Sequence, residues 1–455
     1  KQGPEIKHGF YQFRKSDLVK KNTIVADSIS GSQVSQMQRG IQADVLTKGF
    51  EYVQPIGKSY FTQYTVNKLV TQADYGFLNT TYQQFTSSTN PIYLNPGINA
   101  LFMVGIHDLF ENHRITGGFR LGLDFQSNEF MLSYENLERR VDHQIAFYRQ
   151  SINSTYGYYV YKQRANSLFY IIKLPFDKFN SLRFTLTGRY ETIILGGTSD
   201  VALATKNEWH IWAGAKIEYV FDSSKELYTN LWKGSKIKIF AEYQQRVEKE
   251  TKNLFVLGFD IRKSVKIYKN MTWATRLAAS TNFGQSRLVY YMGGVDNWIG
   301  AKFNSDIWVD LSKDYAYQTL ATNMHGFEQN IRNGTSFVVL NTELRIPFVQ
   351  LIAGHKVRLN FFNSMQLLLY GDIGTAWTGI TPYSEDNCLY TRYVINGPIT
   401  AKITRQVDPF VGGFGLGLRV SVFGYFLRFD YAWGVEDHKI YNRKGMFNFS
   451  IGLDF

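Results

Sequence analysis

The chain has 455 residues and a formal charge of +12; 16% of its residues are aromatic, yet its mean hydropathy is only -0.24. Apolar and polar residues are therefore mixed at short range, and no run of about twenty apolar residues exists to form a spanning helix. Lys and Arg are spread through the chain and not gathered into a basic patch with stacking aromatics, which argues against nucleic acid as a partner.

Residues 1–11, KQGPEIKHGFY, lack the apolar core of a signal peptide, so an exported chain is expected to start here in a mature or truncated form. Neither the helical nor the strand period is sustained over 1–60. This stretch is expected to be a linker or plug-like lead-in attached to a periplasmic domain, with a strand at 53–56. From residue 61 the pattern changes. Strands are predicted at 65–79, 98–109, 115–125, 130–137, 141–150, 168–174 and 182–195, with 154–161 as a further candidate, in the spacing of an antiparallel meander. Longer ones follow at 209–221, 236–248, 255–261 and 271–279. At 236–248 one face carries Lys236, Lys238, Glu242, Gln244, Arg246 and Glu248. Six charged or amide groups on one face call for a hydrated interior in which opposite charges pair.

After Thr281 the period stops for about fifty residues. A structureless loop of that length belongs in a fold only when it is functional. Asp296 and Trp298 within it read as an Asx turn and an aromatic anchor. The strand pattern returns at 337–346 and 365–377 and then in three closing runs. In the last, Phe447, Phe449, Ile451, Leu453 and Phe455 share one face, opposite Asn448, Ser450, Gly452 and Asp454. An aromatic-rich face backed by glycines and charges is the pattern of a membrane wall with lipid outside. The fold class is therefore all-β: a transmembrane antiparallel barrel of sixteen strands over 61–455, with a long loop at about 282–335.

The phrases MHGF (Met324, His325, Gly326, Phe327), ELRIPF from Glu343, LLLYGDIGTAW ending at Trp377, and GFGLGLRV from Gly413 resemble the C-terminal half of the Omp85 or bacterial surface antigen family. The terminal strand, with Phe449, Ile451, Leu453 and Phe455, is similar to that family's C-terminal signal. YYMGGVDNWIG, LATNMHGFEQNIRNG, HDLFENHRI and SYENLERR resemble the Bacteroidetes branch, whose barrel follows a TolB-like propeller. The resemblance implies a bacterial outer-membrane location, lipid and lipopolysaccharide around the wall, and outer-membrane or periplasmic protein partners. It also implies a role in inserting or translocating proteins, without enzymatic chemistry or a cofactor.

In that family the long loop folds into the lumen, and its Val-Arg-Gly-Phe tip is held by wall carboxylates. The matching residues here are Met324, His325, Gly326 and Phe327, with Glu343 and Asp372 as wall partners. The alternation of the two strands independently turns both carboxylates inward. His325 stands where the family has arginine, which implies a weaker lock, since an imidazole lacks the permanent bidentate charge. Arg332 is the nearby candidate to replace it; the plainer role for His325 is a hydrogen bond within a turn. Gly326 reads as a turn residue and Phe327 as packing on the inner wall. Gly374, Gly413, Gly415 and Gly417 either make room for the loop or relieve wall curvature.

Enzyme motifs do not emerge. GGTSD at 196–200 lacks the strand and helix of a nucleophile elbow, the eight histidines are scattered, and the single Cys388 rules out a disulfide within the chain. Two alternatives to insertion stand beside it. One is a structural barrel that docks a periplasmic domain and a membrane complex, favoured by His325 and by the lack of the periplasmic modules of the insertases in this sequence. The other is a passive porin, which the large loop disfavours.

Overall fold

The computed structural model describes residues 63–74, 82–85, 99–122, 125, 127–156, 159–197, 206–248, 250–353, 360–384, 387, 389–396 and 399–454. The lead-in expected over 1–60, its strand at 53–56, Cys388 and Phe455 lie outside them.

The wall begins with β1 (Tyr64–Asp74). After the two-residue β2 (Gln83–Gln84) come β3 (Asn99–Asp108), β4 (His113–Gly122) and β5 (Asn128–Asn136). Four long strands follow: β6 (Asp142–Tyr156), β7 (Tyr159–Pro175), β8 (Asn180–Gly197) and β9 (Glu208–Asp222). A short β10 (Lys225–Tyr228) precedes β11 (Leu231–Arg246), β12 (Asn253–Tyr268) and β13 (Met271–Gly284). The long loop carries β14 (Arg287–Met292), β15 (Tyr315–Leu320) and β16 (Arg332–Gly334), and β17 (Ser336–Ile346) resumes the wall. Helices α1 (Phe348–Ala353) and α2 (Asn360–Asn363) lead to β18 (Gln366–Trp377). The hairpin β19 (Leu389–Asn396) and β20 (Ile399–Gln406) precedes β21 (Val411–Val422), β22 (Tyr425–Glu436), β23 (Lys439–Ile440) and β24 (Met446–Ile451).

Eighteen of these strands share one sheet. With β10 and β23 set aside as short side strands, each wall strand pairs antiparallel with the next in the chain, from β1 with β3 through to β22 with β24. Sixteen wall strands result, as the alternation predicts. Residues 154–161 add no further strand: Tyr156 pairs with Tyr159, so this stretch is the tip of the β6–β7 hairpin. Among the described residues no register joins β1 to β24, and the wall is a meander with two terminal strands. β1 starts opposite Asp108 and β24 ends opposite Leu427, so the chain enters and leaves the wall at the same end, here the entry end.

Two-residue periodicity puts one side of most wall strands outward. Phe102, Phe119, Leu132, Leu186, Ile217, Leu257, Leu369 and Leu416 are all exposed, while their chain neighbours Leu101, Arg120, Thr185, Glu218, Val256, Leu368 and Tyr370 are buried. An apolar surface repeated on strand after strand is too extensive for water and suits lipid.

The buried face is covered from within. β14 pairs parallel with β15 and antiparallel with β16, and β15 pairs with β2, making a four-stranded inner sheet. Leu288, Tyr290, Met292, Tyr317, Met324, Phe327 and Ile331 from the loop pack against Trp212, Leu254, Val256, Phe337, Val339, Ala376 and Val411 of the wall. Two sequence expectations need correcting here. The loop is not irregular: Leu288, Val289, Tyr290, Tyr291 and Met292 are buried one after another, so a strand covered on both faces shows no alternation. The interior is not uniformly polar and hydrated either, because the stretch against the loop is an apolar core.

If the outer face meets lipid, Leu416→Arg on mid-strand β21, 48% exposed, is expected to cost about 2–4 kcal/mol in folding into bilayers. An equally exposed site in water would shift stability by no more than about 0.5 kcal/mol. Urea titration in liposomes distinguishes the two.

Candidate functional site: an inward loop tied to the closing strands

The loop leaves and returns at one residue. Asn282 on β13 donates its amide to the carbonyls of Leu288 (2.6 Å) and Thr335 (2.7 Å) and accepts from the Leu288 N–H (2.9 Å). Asn341 then ties the loop to β17 by donating to the Asn323 carbonyl, 2.8 Å away. The next residues form the tip.

At the tip, His325 meets Asp372 twice. The ring Nδ1 lies 2.6 Å from Asp372 Oδ2, and the His325 backbone N–H donates to the same oxygen at 2.9 Å. Asn341 donates to the other carboxylate oxygen at 2.7 Å, and Tyr370 stacks on the imidazole at 4.1 Å between centroids. Burial works against a charged imidazole, but the Asp372 carboxylate outweighs it, and the His325 pKa is raised above its ordinary 6.5.

Two glycines admit this contact. Gly326 sits at φ +85°, and a Cβ there would overlap the backbone of Trp433 and Gly434. On β21, a Cβ on Gly413 would overlap the His325 carbonyl oxygen. Gly374 lies against Met324 and its own wall neighbours. Gly415 and Gly417 are set apart from the loop: they leave space for the Tyr370 hydroxyl and for the Arg419–Asp430 pair within the wall. Gly434, not singled out by the sequence, gives Phe327 its seat on β22, where Tyr441 also packs on its ring.

Of the two expected wall carboxylates, only Asp372 holds the tip. Glu343 is taken by Arg345 at 2.7 Å. Arg332 does not substitute at Asp372 either. It reaches Glu436 on β22 at 2.8 Å and the Asp408 carbonyl at 2.9 Å, forming a separate anchor for the returning arm.

Sequence reasoning missed a second cluster, at the entry end. Arg419 is bonded to Asp430 at 2.7 Å and to Asp454 at 2.9 Å, and Arg428 approaches Asp454 at 3.6 Å. Asn230, in the turn between β10 and β11, crosses the interior to donate to Asp454 at 2.8 Å, while Arg345 donates to the Asn230 carbonyl at 2.9 Å. Inward alternation of Arg419, Arg428, Asp430 and Asp454 was the available signal; nothing local marked Asn230. In the terminal strand, Phe449 stacks on Phe429 at 5.0 Å, whereas Leu453 is exposed.

An antiparallel wall with an apolar exposed side and an inner side covered by its own loop defines the fold class. No family model and no curated protein matches the chain. Among solved structures it is similar to BamA from Haemophilus ducreyi lacking POTRA domains 1-3, at TM-score 0.50 and 11% identity over 85% of this chain and 76% of that one. CdiB from Escherichia coli matches at TM-score 0.45 and 10% identity over 85% and 67%, and CdiB from Acinetobacter baumannii at 0.42 and 13% over 79% and 57%. In fold the chain is therefore similar to BamA.

Because the folded pKa of His325 lies above the unfolded value near 6.5, its ionic contribution is complete below about pH 6.5. It is lost as pH rises through the folded value. Hydrogen-exchange protection at the tip, corrected for intrinsic rates, is expected to fall as pH rises above about 6.5 in the wild type and to stay flat in Asp372→Asn. At the entry end, Asp454→Ala leaves two buried guanidinium groups undercompensated, and a loss of about 3–5 kcal/mol in urea titration is expected.

Proposed function

We propose that this chain is an Omp85-type outer-membrane barrel that inserts proteins into the outer membrane or translocates them across it. The observation that carries the proposal is the state of the two terminal wall strands. Among the described residues β1 is paired only with β3, and its residues from Tyr64 to Leu69 are exposed on both faces, Val66 at 65% and Leu69 at 71%. Among the described residues β22 is the only wall strand with a register to β24. A strand edge in lipid has backbone groups to satisfy and is a template for another strand. A wall that keeps such edges is suited to receiving a client strand by β-augmentation. Gly445 and Gly452 flank β24 at positive φ and interrupt regular pairing at both ends.

The work needs neither a catalytic group nor a cofactor, because new backbone hydrogen bonds and apolar contact with lipid supply the driving force. In this scheme residues 61–455 are the membrane unit, residues 1–60 are its lead-in from a periplasmic domain, and lipopolysaccharide and periplasmic proteins are its surroundings. The phrases around Tyr290, His107 and Ser133 favour the Bacteroidetes branch. Met324, His325, Gly326 and Phe327 serve as the lock that keeps the loop inside, and the terminal strand serves as the signal for the protein's own insertion.

A docking barrel that anchors a periplasmic domain and its complex is the second reading. It is favoured by the filled interior, with His325 in the lock position. The same filling disfavours a passive porin.

Reconstituted in liposomes, the protein is expected to speed the folding of a urea-unfolded outer-membrane barrel roughly tenfold over empty liposomes, a barrier lower by about 1.4 kcal/mol. Absence of acceleration, together with normal outer-membrane protein levels after depletion and loss of one specific complex, would establish docking instead.

A further inference from the structure

The edge of β24 that faces away from β22 is occupied by the chain's own loop. The Ile299 N–H donates to the Phe449 carbonyl at 2.8 Å, and the Asn297 side-chain amide donates to the Ile451 carbonyl at 3.1 Å. Between them Trp298, itself buried, forms an antiparallel bridge with Ser450. This short segment is held from behind: the Arg428 guanidinium donates to the Asp296 carbonyl, and the Asp296 N–H donates to the Asn323 side chain at 2.9 Å. Asn323 directly precedes the locked tip, so segment and tip are joined through adjacent residues. Asn297, at φ +55°, turns the chain so that Trp298 and Ile299 run along the edge.

We propose that Asn297, Trp298 and Ile299 are an internal cap, a strand fragment supplied by the loop that occupies a strand-accepting edge and must withdraw before that edge can take another strand. The proposal rests on the strand-addition reading given above and names the first occupant of the edge. A cap this short is reversible on physical grounds, since isolated short strand pairings are marginal. An incoming segment that satisfies the whole length of β24 would displace it. The tie between the cap and the tip makes release of the loop the natural route to a vacant edge.

The test uses the full chain in phosphatidylcholine liposomes, with Cys388→Ser as background. Bridged residues on antiparallel strands have Cα atoms about 4.5–5.5 Å apart, within disulfide range, so Trp298→Cys with Ser450→Cys provides a reducible lock. The probe is a fluorescent peptide with the sequence of residues 445–455, which alternates aromatic and polar positions as β24 does.

Oxidation is expected to weaken peptide binding roughly tenfold, a reductant to restore it in the same molecules, and Ile299→Pro, which removes the donor to Phe449, to strengthen it. Equal binding in the oxidised and reduced forms, no binding in any form, or failure of the disulfide to form while a control pair at Phe429 and Phe449 does, would overturn the cap. If the peptide behaves as expected but the protein does not accelerate barrel folding, the insertion role falls and the cap stands.

Discussion

Inside a bilayer no water is available to hydrogen-bond a backbone N–H or C=O, so every such group in the wall needs a partner from the protein. The meander meets this demand strand by strand, and it does so with registers that run unbroken over most of their length. The demand is harder to meet at the two terminal strands, where among the described residues one side of each ladder has no wall neighbour. Much of what is unusual in the fold follows from this. The loop that enters the interior also reaches the far edge of β24, where Ile299 and Asn297 donate to the Phe449 and Ile451 carbonyls and Trp298 bridges Ser450 between them. β1 is left exposed on both faces.

An interior loop brings its own backbone to satisfy and its own apolar residues to bury. Here both needs are met by one device, the sheet of β14, β15, β16 and β2, whose ladders pair the loop with itself and with a segment from between β1 and β3. Polar side chains close the remaining gaps: Tyr82 bonds to Glu242 on β11 at 3.0 Å, Tyr290 to Ser280 on β13 at 2.7 Å, and Arg189 on β8 to the Tyr82 carbonyl at 2.8 Å. The apolar core between wall and inner sheet makes the plug part of the fold and not a passenger in a water-filled channel. Glycines at Gly413 and Gly434 let the two backbones approach where any side chain would hold them apart.

The wall was legible because an exposed apolar side and a buried side impose a period of two, and the wall runs from residue 65 onward carry it. The same logic hid the inner sheet. Val289 and Tyr291 pack on Val309 and Tyr315 while Leu288 and Tyr290 face the wall, so burial on both sides erased the alternation by which strands are recognised. The tip was found through its motif and the inward alternation of Asp372, but the choice between Asp372 and Glu343 depends on where Arg345 points, which a period of two cannot reveal. Arg332 followed the same rule: it lies near the tip in sequence, yet the returning arm carries it to Glu436. Asn230 was beyond reach, because its contact with Asp454 spans 224 positions and depends on how the turn after β10 enters the interior.

The two anchors of the interior differ in a way that bears on mechanism. At the entry end the charges are permanent: Arg419 is shared between Asp430 and Asp454, and Arg345 is held by Glu343. Guanidinium groups stay ionised at any physiological pH, and their planar forks fit carboxylates, so this end behaves as a fixed floor for the closing strands. At the tip a histidine takes the place of such a group, and its charge depends on Asp372, with Asp430 and Glu343 nearby, overcoming the cost of burial. The weaker of the two attachments therefore lies next to Asn323, which also supports the segment capping β24. A fold that had only to stay closed would gain by placing its permanent ion pair there. Permanent pairs thus lie beneath the closing strands and, through Arg332 and Glu436, on the returning arm of the loop, while the titratable pair is confined to the tip.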